Sequence, residues 1–160
     1  MCEKLWSCLQ PSYMPEPGER TWSNIADFFF EKTHFPHCLG AVDGKHIRCE
    51  KPNCAGSEFY NYKQYHSLVL MAVADANYYF ISIDIGAYGS SSDSTIFRNS
   101  IFGKKLEGDQ FILPSPKCLP NDEDGQKMPY IFVGDEAFAL SEHIMRPYPK
   151  KKPICNSKSF

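Results

Sequence analysis

Apolar residues recur at helical spacing at Trp22, Ile25, Ala26 and Phe29. That period predicts an amphipathic helix, with its apolar side in the core. Pro15-Glu16-Pro17-Gly18 makes a turn before it, and Pro36 ends it at the latest. The segment Cys38 to Cys49 reads as a strand, or a kinked strand interrupted at Gly44, where a glycine marks a bulge or a close backbone approach. Ser67 to Ala74 is a nearly unbroken apolar run, which predicts a strand buried on both faces. Asp75-Ala76-Asn77 then turns the chain into Tyr78 to Gly86. There Ile81, Ile83 and Ile85 alternate with Phe80, Ser82 and Asp84, so the pair reads as a hairpin inside an antiparallel meander.

The later pattern is less regular. Residues 86–92 read as a flexible loop, after which Ser92 or Asp93 N-caps a short helix over Ser94 to Arg98. Residues 103–129 hold four prolines and the acidic run Asn121-Asp122-Glu123-Asp124-Gly125, and read as a long irregular insertion. Tyr130 to Val133 predicts a short buried strand with Asp135 at its exit, and Glu136 to Met145 predicts a helix. No internal repeat is visible.

Composition narrows the class. The 160 residues are one domain's worth of chain, and 14% aromatic content with a net charge of -2 argues against disorder. That charge also excludes a basic nucleic-acid coat protein, though a local basic patch is compatible with it. No apolar run reaches the roughly 18 residues of a membrane span. Seven cysteines without a C-x-x-C pair give no zinc signature. With no signal peptide at the start, reduced thiols in an intracellular compartment are the expectation.

Chemistry concentrates on carboxylates. Asp43 lies on the first strand and Asp135 follows the last one, so the two side chains converge at one sheet edge if those strands are neighbours. Hard divalent cations take such oxygen ligands, often only one or two from the protein. Taken alone, a strand-end Asp is more often a turn or cap residue. Asp93 is a third candidate, with N-capping as its alternative role; Asp84 is weaker and reads as solvent-facing. His34, His37, His46, His66 and His143 show no H-E-x-x-H spacing, and neither a G-x-S-x-G elbow nor a phosphate-binding P-loop occurs. Lys45, His46 and Arg48, and the interleaved Tyr60, Tyr62, Lys63, Tyr65 and His66, suit phosphates and unpaired bases. A solvated loop with tyrosines packed on the core explains them equally well.

Four segments in order resemble the PIF/Harbinger transposases and their domesticated nuclease relatives, of the DDE endonuclease superfamily. They are Cys38 to Ile47, Tyr60 to Ser67, Ser92 to Ser100, and Val133 to Phe138 with Arg146-Pro147-Tyr148-Pro149. The resemblance implies an α/β, RNase H-like fold: a three-strand antiparallel meander, a helix, then a further strand. It implies Asp43 and Asp135 as catalytic carboxylates, and Asp43, Asp93 and Asp135 as ligands of Mg2+ or Mn2+. It implies DNA as substrate, a Myb-like DNA-binding accessory protein as partner, no membrane, and the nucleus (and cytoplasm) as location. The family's third acidic ligand is a Glu on a later helix, whereas the last Glu here is Glu142. The expected organisation is therefore a helical N-terminal remnant (1–35), a partial nuclease domain (36–149), C-terminally truncated, and a basic, irregular tail (150–160). The alternative reading is a catalytically inactive transposase-derived fragment acting through DNA or protein binding.

Overall fold

The computed structural model describes residues 2–148, so the basic run Lys150-Lys151-Lys152 and the tail expected at 150–160 lie outside the described residues. Two helices come first, α1 (Cys2–Tyr13) and α2 (Glu19–Thr33). The strands β1 (Cys38–Arg48), β2 (Ser67–Ala74) and β3 (Phe80–Tyr88) follow, then α3 (Asp93–Asn99) and α4 (Ile101–Glu107). The short strands β4 (Ile131–Val133) and β5 (Ile144–Met145) complete the mixed α/β fold. Among the described residues no helix is long and apolar enough to cross a membrane.

The five strands form one sheet in the order β3-β2-β1-β4-β5. The first three make the expected antiparallel meander, while β4 runs parallel to β1 and β5 parallel to β4. Both expected carboxylate strands, β1 and β4, are therefore central neighbours. One apolar cluster holds the sheet to the helices. Trp22 of α2, fully buried, meets Phe132 of β4 and Phe111 edge-on, and Phe102 of α4 meets Phe132 in the same way. Edge-to-face packing places the positive rim of one ring on the negative face of the next. By contrast, α1 has no buried residue, and Leu5, Trp6 and Leu9 stay about half exposed.

Four expectations need correction, while of the two readings of β1 the unbroken strand holds. Residues 86–88, expected in a loop, are strand, since the pairing of β3 with β2 runs to Tyr88. The strand β1 runs through Gly44 without interruption, because its pairing with β2 continues from Ala41 to Arg48. Of the two roles expected of the glycine, it serves the close approach: a methyl group there would collide with the Asp93 carboxylate. The strand β2 is fully buried on one face only: Val69, Met71 and Val73 point into the cluster, while Leu68, Leu70, Ala72 and Ala74 are half-buried.

The expected insertion at 103–129 begins with a helix. Ser100 ends α3 and also caps α4, its hydroxyl accepting from Gly103 N–H at 3.0 Å. Gly103 lets α4 nest on α3, since a Cβ there would meet the Phe97 carbonyl. A glycine and one-turn spacing hide such a helix from a periodicity argument. Finally, Glu136 to Met145 is not helical. Phe132 N–H donates to His143 O and Gly134 N–H to Met145 O, so these residues pair as β5. Arg146 caps the intervening turns by donating to the Glu136 and Phe138 carbonyls.

Candidate active site

Strand alternation fixes where each carboxylate points. On β1, Val42 is buried and Gly44 half-buried, whereas Ala41, Asp43 and Lys45 are exposed. Parallel pairing sets Ala41 beside Val133. Gly134 faces the packed side, since a Cβ there would touch Phe138 and Val42. Asp135 therefore emerges on the same open side as Asp43, at the point where β4 stops and β1 continues. Neighbouring residues of a strand project to opposite faces.

Each of these two carboxylates has one oxygen committed to backbone. Asp43 Oδ1 accepts from Gly44 N–H at 2.8 Å, and Asp135 Oδ1 accepts from Ala137 N–H at 2.9 Å. The second oxygen of each has no protein partner in the described structure. Such local bonds hold a short side chain in one orientation without using all its acceptor sites.

Asp93 comes from the other side of β1. Ser92 is the N-cap of α3, accepting from Thr95 N–H at 3.3 Å, so the capping role open to Asp93 falls to its neighbour. Asp93 is left free on the first turn of α3, with its carboxylate resting against Gly44. Burial pushes its carboxyl above the ordinary range; the negative charges of Asp43 and Asp135 push the same way, against the opposing pull of His46 and Lys63. Desolvation and like charge both disfavour the ionised form.

Asp43 and Asp135 thus lie within electrostatic reach of Asp93, which does not share their face. Among the described residues no three His, Cys, Asp or Glu side chains are arranged to hold a metal ion. Asp84, the weaker candidate, sits on β3 beside Met71 of β2 and is exposed. Of the histidines, His46 stands near Asp93, while His37 stacks on Tyr130 and His143 contacts the Tyr130 carbonyl, both as parts of the fold. All six described cysteines are free, and burial raises the Cys38 thiol to about 11, which makes it a poor nucleophile at neutral pH.

Sequence reasoning missed the support beneath His46. Its Nδ1 lies 2.9 Å from Ser67 Oγ, which accepts from Asn61 Nδ2 at 2.8 Å. Ser67 is wholly buried and Asn61 nearly so. Asn and Ser in a polar, aromatic loop give no sign of burial by themselves. The one available signal was their place in the Tyr60 to Ser67 segment.

Comparison with known proteins places the chain in a family. Residues 42–159 match the family model described as DDE superfamily endonuclease. The chain is 32% identical over 131 residues to the ALP1-like protein of Arabidopsis thaliana, covering 76% of this chain and 30% of that protein. It is 26% identical over 129 residues to HARBI1 of Rattus norvegicus, which carries a provisional nuclease name, covering 81% of this chain and 32% of that protein. The chain thus spans about a third of the length of the curated relatives it matches. No solved structure gives a significant match.

Proposed function

Because the chain belongs to the DDE superfamily endonucleases, we propose that it carries the paired-aspartate portion of a metal-dependent nuclease that hydrolyses DNA phosphodiester bonds. The observation that carries this reading is the emergence of Asp43 and Asp135 side by side, on one face, from neighbouring parallel strands. The strand order and directions, with the antiparallel meander first, support an RNase H-like assignment of the fold.

The donor chemistry fits Mg2+ or Mn2+. All three candidate ligands are hard carboxylates, and Asp93 is held above its ordinary range partly by the charges of Asp43 and Asp135. Mg2+ is commonly held by one or two carboxylates, with water and phosphate oxygens completing its shell, so the pair suffices without a closed three-ligand cage. Asp43 and Asp135 would hold the cation through their free oxygens, with Asp93 adding negative charge from behind Gly44. When bound, a divalent cation stabilises charge on the phosphate and makes water more acidic. Lys45, exposed on the same face as Asp43, would contact a backbone phosphate. His46, braced by Ser67, would present its other ring nitrogen toward the same end of the sheet. DNA as substrate makes the nucleus the working location and suits a Myb-like accessory partner that selects the target.

Supercoiled plasmid incubated with Mn2+ tests the proposal. Wild-type protein is expected to nick it, and Asp43→Asn and Asp135→Asn are each expected to lose more than the ~10–100-fold that outer-shell changes cost. Calorimetric titration with Mn2+ should lose its heat in both variants. Unchanged metal binding and cleavage in both would overturn the assignment. The placement of Asp93 away from the shared face of the pair favours a second reading, a catalytically inactive relative that binds DNA or a protein. Metal-independent DNA binding without cleavage would select it.

A further inference from the structure

The segment joining β1 to β2 carries a hydrogen-bonded, exposed aromatic tip beside the carboxylates. Its base is tied down: Ser67 N–H donates to Phe59 O at 2.8 Å, and Ser90 N–H donates to Glu58 O at 3.0 Å. Its tip turns on one buried side chain. Asn61 Oδ1 accepts from Lys63 N–H at 2.9 Å and from Tyr65 N–H at 3.3 Å, while Asn61 Nδ2 donates to buried Ser67. Asn61 N–H donates to Tyr65 O at 2.9 Å and Gln64 N–H to Asn61 O at 3.0 Å, closing the turn.

What this anchor holds up is Tyr62, which is 79% exposed. Its ring meets His46 in a T-shaped contact, with ring centres 5.6 Å apart. Lys63 Nζ stands 5.3 Å from the Tyr62 ring and is electrostatically coupled to Asp93. Arg48 adds a second cation, 4.5 Å from the Tyr65 ring. A large ring left in water gains nothing for the fold, yet several hydrogen bonds fix the backbone on either side of it. An exposed ring beside cations is the arrangement that stacks on a nucleobase while the cations meet its phosphates.

We infer that the Asn61 to Tyr65 turn is a stacking platform for an unpaired DNA nucleotide at the edge of the carboxylate site, with Tyr62 taking the base and Lys63 the phosphate. This rests on the nuclease reading for its choice of DNA. A base inside a duplex hides its faces in the stack, so the platform selects DNA that is single-stranded or opened beside the target bond.

The test uses the full chain, without divalent metal, and two fluorescein-labelled probes: a twelve-residue oligothymidylate and a blunt duplex of equal length. Tyr62→Ala and Tyr62→Leu are expected to weaken oligothymidylate binding about tenfold. Tyr62→Phe and Tyr62→Trp should retain the binding, and duplex binding should stay within about twofold for all four. Thermal melting of each variant should match wild type, since Tyr62 is exposed. Lys63→Ala should reduce the salt dependence of binding by about one phosphate contact.

Absence of oligothymidylate binding by the wild type would overturn the platform. So would equal binding by Tyr62→Ala, or equal loss on both probes. The two readings fail separately. Tyr62-dependent binding without Mn2+-dependent nicking sinks the nuclease and leaves the platform; nicking without Tyr62 dependence does the reverse.

Discussion

The two faces of β1 are built for different ends. One turns Val42 and Gly44 toward the cluster of Trp22, Phe102 and Phe132; the other turns Asp43 and Lys45 to water. The packed face gains free energy from apolar area removed from water and from ring-on-ring contacts. The open face collects charge, and Asp43 and Asp135 oppose the charge of Asp93 across the strand. Because the pleat alternates, a slip of one residue would exchange the two faces, so the fit of the packed side is what aims Asp43. Stability and site chemistry therefore share a strand but respond to different mutations.

The largest expected effect tests the packed side. Trp22→Ala removes the ring that joins α2 to β4 and should cost about 3–5 kcal/mol in a urea unfolding titration, as large aromatic truncations in cores do. A loss under about 1 kcal/mol would mean that α2 and the sheet are not one packed unit.

Next comes the point where the faces meet. Gly44→Ala places a methyl group on the Asp93 carboxylate and should destabilise by roughly 1–3 kcal/mol, the usual cost of overpacking. The double variant Gly44→Ala with Asp93→Ala should recover part of that loss, since two residues in contact couple. Strict additivity in the cycle would show that the two do not touch.

The smallest effect belongs to Asp93 alone. Its carboxyl is raised above the ordinary range in the folded state by burial and then by Asp43 and Asp135. The folded protein therefore holds this proton more tightly than the unfolded chain does. The stability it lends is full below the ordinary carboxylate range and is lost as pH rises through that range and through the raised folded value. Asp93→Asn should melt above wild type at pH 7, and the gap should close as the solution is acidified. A gap independent of pH would place its cause in packing rather than charge.

Much of this architecture was legible along the chain. The meander could be read because β2 and β3 are long, rich in apolar residues and joined by a turn that starts at Asp75-Ala76-Asn77, whose aspartate accepts from Asn77 and Tyr79 N–H. The helix over Trp22 to Phe29 was legible for the same reason, a long regular period. Short elements were not. The helix α4 is hidden by Gly103, and the residues from Glu136 to Met145 look helical until the backbone donors of Phe132 and Gly134 are counted. In two-residue strands the neighbouring strand, rather than local propensity, decides the conformation.

For the site, the sequence by itself determined which residues are candidates: aspartates at Asp43, Asp93 and Asp135, and an aromatic, basic segment over Tyr60 to His66. Residue type and local pattern suffice for that, because a carboxylate is a hard anionic ligand wherever it stands. Only the tertiary structure decided that β4 lies parallel beside β1, so that Asp43 and Asp135 share a face. It also decided that Asp93 approaches from the other side, through the space a glycine leaves. The physical reason is that pairing between distant strands and packing across a sheet depend on long-range contacts, which no local period encodes.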